Sequence, residues 1–386
     1  MTAKNKFYPI AIPDLSGNEK KYLNDAIDTN WISSSGKYVD LFEEYFAKYL
    51  GIKHSISVTN GTNALHLSML ALEIKEGDEV IVSNHNGAYG GFAIEYVGAK
   101  PIFVDSKKET WNIDPSKIEE KITKKTKAIM IVHIYGYACD MPAIMKIAKK
   151  HNLPVIEDAA EAHGSMVDNK KCGTYGDISI FSFYANKIIT SGEGGVVVTD
   201  SDDLATKCKY YKNLCFKIDG PRDFKHADIG YNYRMSNLHA AILYAQLEKI
   251  DYYIEKRNSN FNLFKHHILD SDLSDYFSFP KPENKSFNVS WVNVIKMENV
   301  SFNINKLMKE LLEIGIDTRN LFYPLNKQLF LSHKPTKEFF PISEDLYNTG
   351  MYVPSGSNLS DNDIEYIASS IIMTLRKLLT AKKNSI

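Results

Sequence analysis

Residues 177–200 read DISIFSFYANKIITSGEGGVVVTD, with Lys187 near their centre. Two runs rich in β-branched and aromatic residues, 177–183 and 194–200, bracket a link too brief for a crossover helix. The spacing therefore predicts two neighbouring antiparallel strands around a loop that carries Lys187. Working outward, five more apolar runs of this kind occupy residues 55–58, 79–84, 100–105, 128–133 and 153–158, and each reads as a buried strand. Stretches with helical period, such as 63–74 and 141–151, separate most of them. This alternation predicts an α/β fold with a largely parallel sheet covered on both faces. In such sheets ligands collect at the carboxyl ends of the strands.

The chain has 386 residues, 44% of them hydrophobic and 24% charged, which suits a folded protein of about two domains. A long amphipathic stretch covers 237–254, and beyond it the composition shifts toward Asn, Ser, Phe and Tyr. The expected division is an N-terminal arm (1–19) packing on the small domain, a large domain (20–254) and a small C-terminal domain (255–386). A formal net charge of -1, from 46 basic and 47 acidic residues, gives no electrostatic case for nucleic acid or an anionic membrane as partner. The N-terminus lacks the apolar stretch of a signal peptide, and no run approaches a membrane span, so a soluble cytoplasmic protein is expected. Cys139, Cys172, Cys208 and Cys215 lack C-x-x-C spacing and read as reduced thiols, with no metal site expected. Asn288-Val289-Ser290 matches a glycosylation acceptor, which without secretion is a chance match.

Three elements carry chemistry. The run Glu157-Asp158-Ala159-Ala160-Glu161-Ala162-His163-Gly164 delivers a carboxylate at a strand end and follows it with small residues over which a flat ring fits. Alone, Asp158 is as readily a helix N-cap. Lys187, between a buried strand and the turn Thr190-Ser191-Gly192-Glu193-Gly194-Gly195, is a candidate for covalent attachment to an aldehyde, because desolvation frees the neutral amine. Alone, it is more often a solvated loop lysine. Together the two supply what pyridoxal phosphate needs: an anion that keeps the pyridine nitrogen protonated, and an amine for the aldehyde carbon. Asn60-Gly61-Thr62, at a strand end opening a helix, offers backbone amides to a phosphate, though as a bare motif it is only a cap.

These residues, with Val132-His133-Ile134-Tyr135-Gly136, residues 181–187 and Gly230-Tyr231-Asn232-Tyr233-Arg234-Met235, occur in the order seen in the DegT/DnrJ/EryC1/StrS sugar aminotransferases. The resemblance runs from Trp31-Ile32-Ser33-Ser34-Ser35-Gly36 to Val353-Pro354-Ser355, and the lysine loop is similar to that of the GDP-perosamine synthase branch. It implies the aspartate-aminotransferase-like fold (fold type I), with a mainly parallel seven-stranded sheet and a smaller C-terminal α+β domain. It also implies a homodimer with active sites at the subunit interface. Carried over residue by residue, Lys187 is the Schiff-base lysine and Asp158 the pyridinium partner. Glu161 lies near the ring hydroxyl, and Gly61, Thr62 and Ser182 hold the phosphate with Asn232 of the neighbouring subunit.

Two departures from the family pattern touch the expected substrate pocket. Gly87 stands where an aromatic usually stacks on the cofactor ring, which leaves Tyr89 or His85 to take that place, Tyr89 by preference. Asn326, after Tyr323-Pro324-Leu325, replaces a histidine. The resemblance implies amino transfer from glutamate or glutamine, with Lys187 as the base and pyridoxamine phosphate formed in the half-reaction. The expected acceptor is a nucleotide-linked 4-keto-6-deoxy sugar of surface-polysaccharide or capsule synthesis. The alternative is a small phosphorylated ketone, and Arg222, Arg234 and Arg319 are candidates for phosphate in either case. A related branch that dehydrates sugars carries histidine at the lysine position, which Lys187 opposes. The non-enzyme alternative is a cofactor-bound regulatory homologue.

Overall fold

A computed structural model of the chain describes residues 6–217, 224–300, 302–332 and 338–383. Each of the seven expected runs overlaps a strand of one sheet: β1 (His54–Val58), β2 (Glu79–Ser83), β3 (Lys100–Val104), β4 (Thr126–Val132), β5 (Val155–Asp158), β6 (Ile178–Ser182) and β7 (Gly195–Thr199). Their order across the sheet is β1-β7-β6-β5-β4-β2-β3. The pairs β2·β3, β2·β4, β4·β5 and β5·β6 are parallel, whereas β7 is antiparallel to both β6 and β1. One strand, β7, thus runs against the other six. The expected antiparallel pair around Lys187 is present, with Ser179 opposite Val198 and Ser182 opposite Gly195. Nearly every side chain on these strands is buried, since helices cover both faces and leave the strands no solvated side.

The helices that position the site are short and capped by their own sequence. In α1 (Gly61–Ala71) the side chain of Asn60 accepts a hydrogen bond from the Asn63 amide at 2.9 Å, which leaves the amides of the first turn directed outward at the end of β1. In α2 (Met141–His151) Asp140 takes the Ala143 amide, three basic residues occupy the last turn, and Asn152 closes it in the left-handed conformation. The expected amphipathic stretch 237–254 is two helices, α3 (Asn237–Leu247) and α4 (Ile250–Leu269). α4 continues through residues 254 and 255, the expected boundary, without a break.

The chain beyond α4 holds a four-stranded antiparallel sheet built from Phe277–Ser278, Asn293–Met297, Gly350–Val353 and Arg319–Asn320, with Ile304–Glu313 and Asp361–Lys383 as helices. The first described residues join it: the Tyr8 amide donates to Gly315 O, the Asp317 amide to Tyr8 O and the Ser355 amide to Ile10 O. Asn288 is half-buried with its side-chain amide engaged on both sides, by the Ala138 amide and by Ser286 Oγ. All four cysteines are buried thiols. Among the described residues no helix is long and apolar enough to cross a membrane.

Candidate active site

β5 ends on two consecutive carboxylates that do different work, because neighbouring side chains of a strand point to opposite faces. Glu157 turns inward, fully buried. It accepts hydrogen bonds from His133 Nε2 (2.8 Å) and from the amides of Gly173, Tyr175 and Gly176. Burial alone raises a carboxyl pKa, but His133 and these amides outweigh it, and Glu157 sits below its ordinary value. His133, Glu157 and Cys172 bring three potential metal-ligating atoms within 4.8 Å of one another. Both ring nitrogens of His133 are already used, Nε2 by Glu157 and Nδ1 by the Cys139 amide at 3.0 Å, so the group is a structural polar core.

Asp158 faces the other way, into a cavity of about 450 Å³ at the carboxyl ends of β1, β4, β5 and β6. Gly61, Thr62, Tyr89, Asp158, Glu161, Ser182 and Lys187 all line this cavity. Sequence positions more than a hundred residues apart therefore meet at one place. Burial raises the Asp158 pKa, countered by the Ala160 amide that donates to Oδ1 at 3.0 Å and by the Lys187 charge. An additional cation against Asp158 would relieve that burial penalty, and a pyridinium is such a partner. Ala160 lines the cavity, whereas Ala159 is buried beneath it.

Gly61 opens α1 against Ser182 at the end of β6. A methyl group on Gly61 would lie 2.8 Å from Ser182 Cβ and 3.1 Å from its Oγ, so glycine lets the helix start and the serine approach each other closely. With the amides of Gly61 and Thr62 this gives a set of donors at a helix N-terminus of the kind that can accept a phosphate. The donor set, the buried carboxylate and the enclosed lysine fit pyridoxal phosphate.

Lys187 has a side chain only 10% exposed, and its Nζ lies 3.8 Å from Glu161 Oε1. Burial lowers its pKa, opposed by Glu161 and Asp158. The same burial pushes Glu161 up to about 7, while its Oε2 accepts from the Tyr135 amide at 2.7 Å. That amide is aimed by an unusual backbone: Tyr135 is left-handed (φ 55°, ψ 18°) without being glycine. Gly136 follows at φ 92°, where a Cβ would come within 1.9 Å of Val289 O. The loop itself is held from α4, because Arg257 Nη2 donates to Lys187 O at 3.0 Å while its Nη1 donates to Trp291 O at 2.7 Å.

At the remodelled wall, Tyr89 lines the cavity and is 58% exposed, whereas His85 is fully buried behind it, in contact with Tyr135 and Phe322. Gly87 makes the room, since a Cβ there would touch the Tyr89 ring at 3.0 Å. Asn326 departs from expectation. It does not reach the cavity but lies buried beside Asn84, whose Oδ1 accepts its backbone amide at 2.9 Å. Asn232 is exposed and outside its own chain's cavity, with Oδ1 accepting from Arg234 Nε at 3.0 Å. Arg234 is thereby engaged with Asn232 and Asn213, away from the cavity. Arg319 pairs across the small sheet with Tyr352, which lines the cavity. Arg222 lies outside the described residues.

Sequence reasoning missed Asn86, Trp291, Phe322 and Tyr352, all of which line the cavity. The three aromatics come from the C-terminal third, in apolar runs that read simply as core. Asn86, beside Gly87, carried the only usable signal: a polar run, Asn84-His85-Asn86, at the end of a buried strand.

Comparison with known proteins places this geometry. A profile of the DegT/DnrJ/EryC1/StrS aminotransferase family matches residues 13–372. The chain is 44% identical to a GDP-perosamine synthase of Escherichia coli O157:H7, over 95% of this chain and 98% of that protein. Its fold is similar to that of Helicobacter pylori PseC, an aminotransferase involved in the biosynthesis of pseudoaminic acid (TM-score 0.89, 27% identity, 96% of this chain and 100% of that one). It is also similar to NtdA from Bacillus subtilis with bound cofactor PMP (TM-score 0.84, 27% identity, 93% of this chain and 81% of that one).

Proposed function

Because the chain belongs to the DegT/DnrJ/EryC1/StrS family of pyridoxal-phosphate-dependent aminotransferases, we propose that it moves an amino group from glutamate or glutamine to a nucleotide-linked 4-keto-6-deoxyhexose. The aminated sugar would serve surface-polysaccharide synthesis. The observation that carries this reading is the enclosure of Lys187, Asp158 and the Gly61/Ser182 cradle in one cavity. The 44% identity to a GDP-perosamine synthase over nearly the whole chain supports the acceptor class.

Bound pyridoxal phosphate supplies an aldehyde that carries the amino group and a ring that accepts electrons. Gly61, Thr62 and Ser182 would hold its phosphate, and Asp158 would keep the proton on its ring nitrogen. Lys187, desolvated and therefore able to give up its proton, would move a proton between the substrate carbon and the carbon of the cofactor's aldehyde group, a contribution of roughly 10²–10⁴-fold. Glu161, clamped by the Tyr135 amide and 3.8 Å from Lys187 Nζ, would lie near the ring hydroxyl. Tyr89 would cover the ring from the side that Gly87 leaves open. Asn232, exposed on its own chain, would complete the phosphate cradle of a second subunit in a homodimer.

A second acceptor, a small phosphorylated ketone, is favoured by the cavity size: about 450 Å³ within one chain takes the cofactor and a small substrate, whereas a nucleotide would extend beyond it. Converting the protein to its pyridoxamine form with glutamate, then adding a GDP-linked 4-keto-6-deoxyhexose or a three-carbon keto phosphate, separates the two. The acceptor that restores the starting visible spectrum is the substrate class. Recovery with the keto phosphate alone would overturn the sugar reading.

A further inference from the structure

We propose that the indole face of Trp291 is the seat of the Lys187 amine before cofactor is captured, and that the ring there favours its ammonium form. The proposal rests on Lys187 being the cofactor lysine, and not on the identity of the acceptor. Lys187 Nζ lies 3.8 Å from the centroid of the Trp291 ring, which is itself buried. A cation over an indole face is attracted by the ring quadrupole, most strongly where water is excluded.

Trp291 is held at its backbone, its ring nitrogen and its ring. Its backbone amide donates to Tyr135 O at 3.3 Å, its Nε1 donates to Asn186 O at 2.9 Å, and its ring stacks parallel to Tyr135 at 6.3 Å. Arg257 ties Trp291 O to Lys187 O, so the backbone and the tip of the lysine are both referenced to this one tryptophan. Between ring and cofactor the amine needs only side-chain rotation. Tyr135 sets the opposite wall as well, since its left-handed amide fixes Glu161, whose Oε1 is also 3.8 Å from Nζ.

The charged and titratable groups around the amine are Glu161 and Asp158, which favour the ammonium, and Arg257, which opposes it. His163 is kept neutral by burial, its pKa near 3, and Glu193 also lines the cavity. Trp291 adds an uncharged preference for the ammonium that does not titrate.

The test uses the full chain stripped of cofactor. Only the unprotonated amine attacks the aldehyde, so the rate at which added pyridoxal phosphate produces the visible band reports the ionisation of Lys187 as pH is varied. Trp291→Leu is expected to move the midpoint of that profile down by about one pH unit, making capture below the parent midpoint about tenfold faster. Trp291→Phe should shift it in the same direction by less. Binding of pyridoxamine phosphate, which makes no bond to Lys187, checks that each variant has a folded site. If Trp291→Leu fails that check, Trp291→Phe decides alone. A folded variant that captures cofactor more slowly or weakly with its midpoint unmoved overturns the proposal. Lys187→Ala should capture none, and capture by that variant would refute the lysine assignment itself.

Discussion

Replacing Gly61 by alanine isolates the phosphate cradle from the rest of the site. The new methyl would sit 2.8 Å from Ser182 Cβ and 3.1 Å from Ser182 Oγ, whereas non-bonded carbons rest at about 3.5–4.0 Å, so the start of α1 and the serine must part by roughly 0.7 Å. Overpacking of this kind costs about 1–3 kcal/mol, and the gain in helix propensity from Gly to Ala returns up to about 1 kcal/mol, so the fold survives. The cradle suffers more, because hydrogen bonds to a charged group contribute about 1.5–3 kcal/mol and lose strength steeply when drawn apart. Loss of one such bond corresponds to about 10- to 150-fold weaker retention of pyridoxal phosphate. Parallel equilibrium titrations of the stripped protein with pyridoxal phosphate and with pyridoxal, followed by visible absorbance, separate the phosphate term from the ring term. Pyridoxal affinity should stay within a fewfold of the parent while the phosphate ester loses its advantage. Equal weakening of both ligands, or of neither, would refute the assignment of Gly61 and Ser182 to the phosphate.

Asp158→Asn removes an ionic hydrogen bond of about 1.5–3 kcal/mol to the ring nitrogen, so it should weaken cofactor retention and slow proton abstraction more than capture by Lys187. Rapid-mixing half-reactions with glutamate give both rates, and unchanged rates would contradict the role. Mixing Lys187→Ala subunits with Asn232→Ala subunits should restore part of the activity, because one site of the mixed dimer keeps both residues; no recovery despite demonstrated subunit exchange would place Asn232 in its own chain's function. Glu157→Gln should cost about 3–5 kcal/mol in urea unfolding at neutral pH, since it strips His133 and three amides of a charged acceptor. The folded pKa of Glu157 is lowered, so its contribution is present above the ordinary carboxyl value near 4.5 and is lost as pH falls below it. The gap between parent and Glu157→Gln should therefore narrow on acidification, and a gap independent of pH would defeat the argument.

The strands and the lysine loop were legible because their signals are local. β-branched runs of strand length announce themselves, and a link as short as the one around Lys187 permits few connections. Asp158 and Glu161 were legible only through their spacing from Lys187 and the family order of motifs. What stayed hidden depends on contacts between distant segments. Nothing in Val132-His133-Ile134-Tyr135-Gly136 announces that Tyr135 is left-handed, since the conformation is imposed by Glu161 on one side and Trp291 on the other. The choice between His85 and Tyr89 turns on which ring the helix beginning at Ala88 leaves at the surface, which alternation along a strand does not reveal. Asn326 was expected at the pocket because it stands where the family pattern has a histidine, whereas its backbone amide donates to Asn84 and the residue is buried away from the cavity.

The hold that Arg257 keeps on the Lys187 carbonyl has a consequence for biosynthesis. A nascent chain that has emerged through Lys187 already possesses six of the seven strands of the large sheet, the residues Gly61, Thr62 and Ser182, and the buried carboxylate. It lacks the guanidinium that pins the lysine loop and the indole that faces the amine, because both lie in later sequence. Capture of the aldehyde by a well-placed amine therefore waits until the C-terminal third has been translated and has docked. Truncated products that retain Lys187 but end before Arg257 are expected to remain colourless.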